Sequence, residues 1–343
     1  MIVREKSLLR LFACAVLLLI SQIASAQGNG LRMPTIFDRL TQEEAAKLTL
    51  EMDYTTLLEN RKTNQYFPAT LTDANGKTYQ VEVKPRGKYR RKVCEEPPLK
   101  VKFSKKGLRA EGLDTLNEVK IVMPCYDNPR GDELIIREYV AYRMFEHMTA
   151  ASVKARLIRL TLKDTHVESK RNMYCLLIED EEETVARLGG TLVEQYGIPP
   201  DSLIMNQAAL VCMFQYMIGN TDWDVSMMRN IRLIRSAETG KVLVVPYDFD
   251  FSGLVSAPYS SPSSDTGLRT VRDRFLMANG IPQESLKRAT QMLRSARKDF
   301  LGLCKNKYLS RESSDDMIRY LELFFNQIEQ KDNVPTVLKM PSD

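Results

Sequence analysis

The feature that most constrains this fold is a helix with no polar face. Across residues 202–218 apolar side chains fall on nearly every side, so the segment cannot lie on a surface and other elements must enclose it. Asp201 or Ser202 can cap its start, and Gly219-Asn220 ends it. A chain of 343 residues, 43% of them hydrophobic, has the apolar material for such an enclosure, as one large domain or two ordinary ones.

The chain before this helix reads mostly as sheet. Thr41-Gln-Glu-Glu44 has the form of a capping box opening a short helix. Residues 48–54 alternate like a strand. Residues 67–72 and 79–84 form a hairpin, with Asn75-Gly76 supplying the turn. Leu99-Lys-Val-Lys-Phe103 alternates again, its lysines all on one face. Residues 119–123, 153–162 and 173–178 complete the strands, and 132–148 is one long amphipathic helix. After the buried helix come a hairpin (231–234 and 242–245), a Ser/Pro/Gly-rich loop (252–267), and helices over 283–303 and 314–330. The expectation is an α+β chain that divides between Glu179 and Gly190. Residues 27–183 would be a sheet-rich N-terminal lobe and 184–343 a helix-rich C-terminal lobe.

Residues 1–26 are set apart. Arg4, Lys6 and Arg10 precede or begin an apolar run over 11–20 that is short for a membrane span, and Ala24-Ser25-Ala26 offers small residues for cleavage. This reads as a secretory signal peptide, with a periplasmic or secreted mature chain that has no later membrane span. Export permits disulfides. Cys94 and Cys125 both sit in irregular, Pro-flanked segments and are the expected pair, while Cys212 lies inside the apolar helix as a small hydrophobe. There is no CxxC pair, and two histidines are too few for a multi-histidine zinc site. A net charge of +5 is too weak an excess for a nucleic-acid binder.

The chemistry concentrates in two short runs, Gly219-Asn-Thr-Asp222-Trp-Asp224 through Asn230, and Pro246-Tyr-Asp248-Phe-Asp250. They place oxygen ligands at the end of a buried helix and at the ends of two paired strands, as a hard cation requires. Protein kinases draw an acceptor-orienting Asp, a metal-binding Asn and a metal-binding Asp from the same order of helix, loop, strand, turn, strand. Asp222 or Asp224 can take the first role. Asn230 and Asp248 take the metal, and Asp250 a second metal ion.

These runs, the Arg86-Gly87 turn leading to Leu99-Lys-Val-Lys-Phe103, and Tyr174-Cys-Leu-Leu-Ile-Glu179 together resemble the CotH kinase family, spore-coat-type atypical kinases distantly similar to HipA-type kinases. The resemblance covers roughly residues 86–253. It implies a bilobal protein-kinase-like fold that uses ATP and Mg²⁺, and it favours Asp222, which follows Gly-Asn-Thr, over Asp224 in the acceptor-orienting role. Lys102 would clamp the nucleotide phosphates with Lys100 as the alternative, Arg86 would lie in the turn above them, Glu138 would pair with the strand lysine, and Glu179 would begin the hinge. There are departures. Asn230 follows Asp222 by eight positions, so the loop must bulge; Arg229 stands where His is expected; and Lys88-Tyr-Arg-Arg91 follows Gly87 in place of Asn-Ser.

The expected function is therefore an exported kinase moving the γ-phosphoryl of ATP to a hydroxyl on a protein substrate. The alternatives are a pseudokinase that binds without turnover and a metal-dependent hydrolase or nucleotidyltransferase. The basic run Arg90-Arg91-Lys92, with Lys84, Arg86 and Lys88, reads as a patch suited to nucleotide phosphate or to an acidic partner. Residues 252–267 read as a mobile segment beside the cleft, carrying any autophosphorylation.

Overall fold

The computed structural model describes residues 32–330 and 337–338. The leader read as a signal peptide lies outside the described residues. The chain runs α1 (Ile36–Leu40), β1 (Ala46–Met52), α2 (Tyr54–Glu59), β2 (Phe67–Thr72), β3 (Thr78–Pro85), α3 (Arg90–Val93), β4 (Leu99–Phe103), α4 (Lys105–Ala110), β5 (Glu118–Val122), α5 (Pro129–Met148), β6 (Ala155–Asp164) and β7 (Ser169–Glu179). It continues through α6 (Glu181–Leu188), β8 (Gly190–Leu192), α7 (Met205–Ile218), β9 (Ile231–Ser236), β10 (Val242–Pro246), β11 (Arg274–Phe275), α8 (Gln283–Ser295), α9 (Arg297–Cys304), α10 (Arg311–Gln330) and β12 (Val337–Leu338).

The first seven strands close into a barrel in the order β1-β2-β3-β4-β5-β7-β6. β1 pairs antiparallel with β2 and parallel with β6, which seals the ring. Period-two alternation sends Leu48, Leu50, Leu71, Val83, Val101, Ile121, Leu160 and Leu177 inward to a shared core. The structure is thus mixed α+β, but its sheet-rich part is a closed barrel, which the sequence reading did not anticipate. The cause is that strand alternation looks the same in an open and a closed sheet; closure depends on the β1–β6 pairing, more than a hundred positions apart.

A second core gathers α5, α7, the three-stranded sheet β10-β9-β8 and the helices α8, α9 and α10. α7 lies at its centre, buried along nearly all its length as its composition requires. It ends at Gly219, whose φ of 67° is left-handed. Its start differs from expectation. Asp201 and Ser202 belong to a separate turn (Pro200–Ser202), and Ile204 occupies the cap without a side-chain bond.

The first helix also differs. The capping box is Thr35 with Asp38, and Thr41 is where α1 ends. Ile36, Phe37 and Leu40 give that earlier turn an apolar face to bury, whereas the turn at 42–45 offers only the partly buried Ala45. Residues 283–303 are two helices broken at Ala296. Cys94 and Cys125 form the expected disulfide, with Cα atoms 4.5 Å apart, and Cys175, Cys212 and Cys304 are buried free thiols. Among the described residues no helix is long and apolar enough to cross a membrane.

Candidate functional site

The site begins where α7 stops. Asn220, fully buried, donates to Gln215 Oε1 and accepts from the Asp222 amide at 2.9 Å, which turns Asp222 out of the helix end. Asn230 Nδ2 then donates to both the main-chain oxygen of Asp222 (2.7 Å) and its Oδ2 (2.9 Å). The intervening residues are taken up by a small turn in which Asp224 and Arg229 exchange two main-chain bonds of 2.9 Å and Asp224 Oδ1 accepts from Met227 N. This turn absorbs the wide Asp222–Asn230 spacing, and it occupies Asp224, the alternative acceptor residue. Arg229 Nε lies 3.5 Å from Asp222 Oδ1.

Asp248 follows β10 in a left-handed conformation (φ 65°), as does Asn230 at the entry to β9 (φ 52°). Such conformations in non-glycine residues are strained and cluster at sites. The Tyr247 amide donates to the Asn230 carbonyl, and the Asp248 amide donates to Tyr142 Oη at 2.8 Å. Three elements thus place Asp222, Asn230 and Asp248 side by side. Burial raises the Asp222 pKa, and repulsion from Asp248 adds to it, while Arg229 and Asn230 oppose.

Behind this trio sits a buried charge cluster. Arg90 Nη1 is 3.6 Å from Glu138 Oε2 and 4.0 Å from Asp250 Oδ2. Asp250 Oδ2 also accepts from Tyr259 Oη at 3.1 Å. Burial and then Asp248 push the Asp250 carboxyl up to about 7, against the pull of Arg90. Burial likewise holds Glu138 well above the usual carboxylate range, with Asp250 adding and Arg90 subtracting. Glu138 was expected to pair with a strand lysine; its ion pair is with Arg90. The reason is that Arg90, one of three consecutive basic residues, is buried on α3, while Arg91 and Lys92 remain outside.

The lysines divide. Lys102 pairs with Glu82 at 3.8 Å and lies over the Tyr66 ring, half exposed on the barrel's outer face. Lys100 pairs with Glu118 and reaches Asp180 Oδ2 at 3.4 Å. Lys120, one strand over and directly opposite Lys100, reaches the same oxygen at 3.2 Å. Burial, followed by Arg232, drives the Lys120 ammonium down to about 7, while Asp180 is held at about 2 by Lys120 and Lys100 despite its burial. The positive charge of Arg86 acts on Lys120, Glu138 and Tyr247. Glu179 is buried beneath, held by Arg187 through both carboxylate oxygens and by the Lys154 amide.

These donors suit a hard cation bound together with phosphate. Asn230 commits its amide N–H to Asp222 and leaves its carbonyl oxygen for a cation, and among the described residues no ion pair engages Asp248. Mg²⁺ takes one or two protein carboxylates plus phosphate oxygens and keeps several waters. Asp250 is less well placed, since Tyr259 and Arg90 already occupy it. Among the described residues no group of three His, Cys, Asp or Glu is assembled as a metal cage.

The sequence reading missed Lys120, Asp180, Tyr142 and Tyr259, and did not show that Arg90 turns inward. Lys120 had one available signal, its place as the polar member of an apolar strand. In the loop 252–267, read as mobile, the first half is packed: Ser252, Leu254, Val255 and Ala257 are buried and Tyr259 packs on Tyr89, Tyr126 and Phe251, whereas 260–267 is half-buried to exposed, with the Ser263 amide donating to Thr221. Trp223 is buried in the second core.

Compared with known protein families and with curated proteins, the sequence matches none, so the resemblance to the CotH family has no family match behind it. Among solved structures, the chain is similar to a Helicobacter pylori proinflammatory kinase, CtkA, with 9% identity and a TM-score of 0.35, over 60% of this chain and 85% of that one. A likeness of that size carries no argument about function, which rests on the site itself.

Proposed function

We propose that the chain is a phosphotransferase of the kinase class, in which Asp222 orients an acceptor hydroxyl and Asn230 and Asp248 hold Mg²⁺ against the phosphates of ATP. The observation that supports this reading is the joining of the trio: Asn230, at the start of one strand, is hydrogen-bonded to the carboxylate of Asp222 at a helix end, and the adjoining strand delivers Asp248 beside them. Bound Mg-ATP supplies the transferable phosphoryl group, and phosphoryl transfer asks a protein mainly for positioning and charge neutralisation. Asp222 accepts the hydroxyl's hydrogen bond and turns its oxygen toward the site. Lys100 and Arg86 supply positive charge from the barrel side, joined by Lys120 in its protonated form, and Asp180 holds the two lysines in place. The two-lobed kinase-like arrangement, export and a protein acceptor belong to the same proposal.

A second reading, nucleotide binding without turnover, is favoured by one feature. Both oxygens of Asp222 have neighbours, Asn230 on Oδ2 and Arg229 near Oδ1. Calorimetric titration with Mg-ATP and a label-transfer assay separate the two. Asp248→Asn is expected to abolish Mg-dependent nucleotide binding, because the cation loses an anionic ligand. Asp222→Asn is expected to leave binding within about threefold and to reduce transfer by about a thousandfold or more. Binding of Mg-ATP by the parent without transfer to any acceptor would establish the second reading. Equal Mg-ATP binding by the parent and Asp248→Asn would remove both.

A further inference from the structure

Arg90 is a buried cation with an insecure side chain. Its Nη2 donates to the Met123 carbonyl at 2.5 Å, and its ion pairs to Glu138 and Asp250 span 3.6 and 4.0 Å. Arg90 Nε and Nη1 and Glu138 Oε1 have no hydrogen-bond partner among the described residues. A buried charge held this loosely keeps its place only if the backbone beneath it is fixed. α3 cannot fix itself, being one turn of four residues with no side-chain cap.

The backbone is fixed from outside, at α3's far end. Cys94, directly after α3, is bonded to Cys125, two residues beyond the Met123 that receives Arg90. The Glu95 amide donates to the Cys125 carbonyl at 3.0 Å, and Arg61 caps the carbonyls of Lys92 and Cys94. The disulfide therefore clamps the segment that carries Arg90 onto the segment that accepts it.

We propose that Arg90 is the positioning cation of the candidate site and that the Cys94–Cys125 disulfide holds it between Glu138 and Asp250, so that reducing this bond loosens the site. A dithiol reductant delivers two electrons and two protons to the bond, leaving the Cys94 and Cys125 thiols, and is itself oxidised to a disulfide. It has no other disulfide to act on among the described residues, and Cys175, Cys212 and Cys304 are buried thiols. Arg90 then gains freedom to leave, and Glu138, Asp250 and Asp248 face one another without a cation. The effect on nucleotide rests on the phosphotransferase reading; the effect on structure does not.

The test is hydrogen–deuterium exchange on the full chain, oxidised and after dithiothreitol, for the parent and Arg90→Met. Reduction of the parent should speed exchange across residues 248–259 by about tenfold while α7 is unchanged. Oxidised Arg90→Met should show the same increase, and its reduction should add little, because both changes remove one interaction. Unchanged exchange at 248–259, equal loosening of α7, or an undiminished effect of reduction in Arg90→Met would each overturn the proposal. If Arg90→Met does not fold, Arg90→Gln is read in the same way. Mg-ATP affinity, measured in parallel, should fall about tenfold on reduction. Should the oxidised parent bind no Mg-ATP while exchange responds as expected, the phosphotransferase reading fails and the positioning role stands.

Discussion

Gly219 shows how much a single position fixes at this site. Its φ of 67° suits glycine, and a Cβ there would run into Tyr320 Oη, which donates to the Arg272 carbonyl at 3.1 Å beneath the Arg274 guanidinium. Gly219→Ala is therefore expected to cost more than about 2 kcal/mol, read from the denaturant midpoint. Gly219 was legible in the sequence, because a glycine after an apolar run marks a helix end. Arg90 was not. In a run of three basic residues nothing local distinguishes the one that turns inward; that is decided by Glu138 and Asp250, from distant parts of the chain.

At the scale of elements, Lys84, Lys100 and Lys120 stand directly opposite one another on β3, β4 and β5. Like charges in such a row destabilise a sheet, and Glu118 and Asp180 offset this at Lys100. A bound polyphosphate would add to that. Lys120 is at the buried end of the row, whereas Lys102, on the same outer face of the barrel, is half exposed beside Glu82. Lys120→Met should weaken Mg-ATP binding more than about tenfold and Lys102→Met less than about threefold, by calorimetry. The alternation of Leu99 to Phe103 placed both of its lysines on one face, which was right. It did not show which end of that face meets the rest of the molecule.

For the whole molecule, the informative contact is a strap. Arg32 and Thr35 cross from the chain's first described residues to Glu183 on α6, at 3.2 and 2.6 Å. Glu183 ends the acidic run Glu179-Asp-Glu-Glu-Glu183, yet it is buried, and burial pushes its carboxyl from 4.5 up to about 7, with Glu179 adding to the shift. The folded state thus holds a proton that the unfolded chain has lost, so stability from this group is fully present below about 4.5 and falls as pH rises to about 7. Glu183→Gln should remove that dependence. Thermal midpoints should match the parent's near pH 4.5 and exceed them at pH 8, by up to about 3 kcal/mol in stability. The difference between variant and parent isolates Glu183 from the other raised carboxyls, among them Asp132, Asp222 and Asp250. A gap that is constant with pH would show that Glu183 is not titrating.

What the sequence determined by itself is local. Alternation set the strands, the all-apolar run set the buried helix, Asn75-Gly76 set a hairpin, and Asp222, Asn230 and Asp248 were placed at element ends, where side chains can converge. The pairing of Cys94 with Cys125 was also readable, because both cysteines interrupt irregular segments. Tertiary structure alone decided the rest. Barrel closure needed β6 to lie parallel to β1, and the capping choice at Thr35 over Thr41 turned on which turn had apolar residues to bury. Which lysine, which arginine and which glutamate went inside was settled by partners far away in the chain. A charge is buried only where an opposite charge waits for it, and no local pattern of residues records where that partner will be.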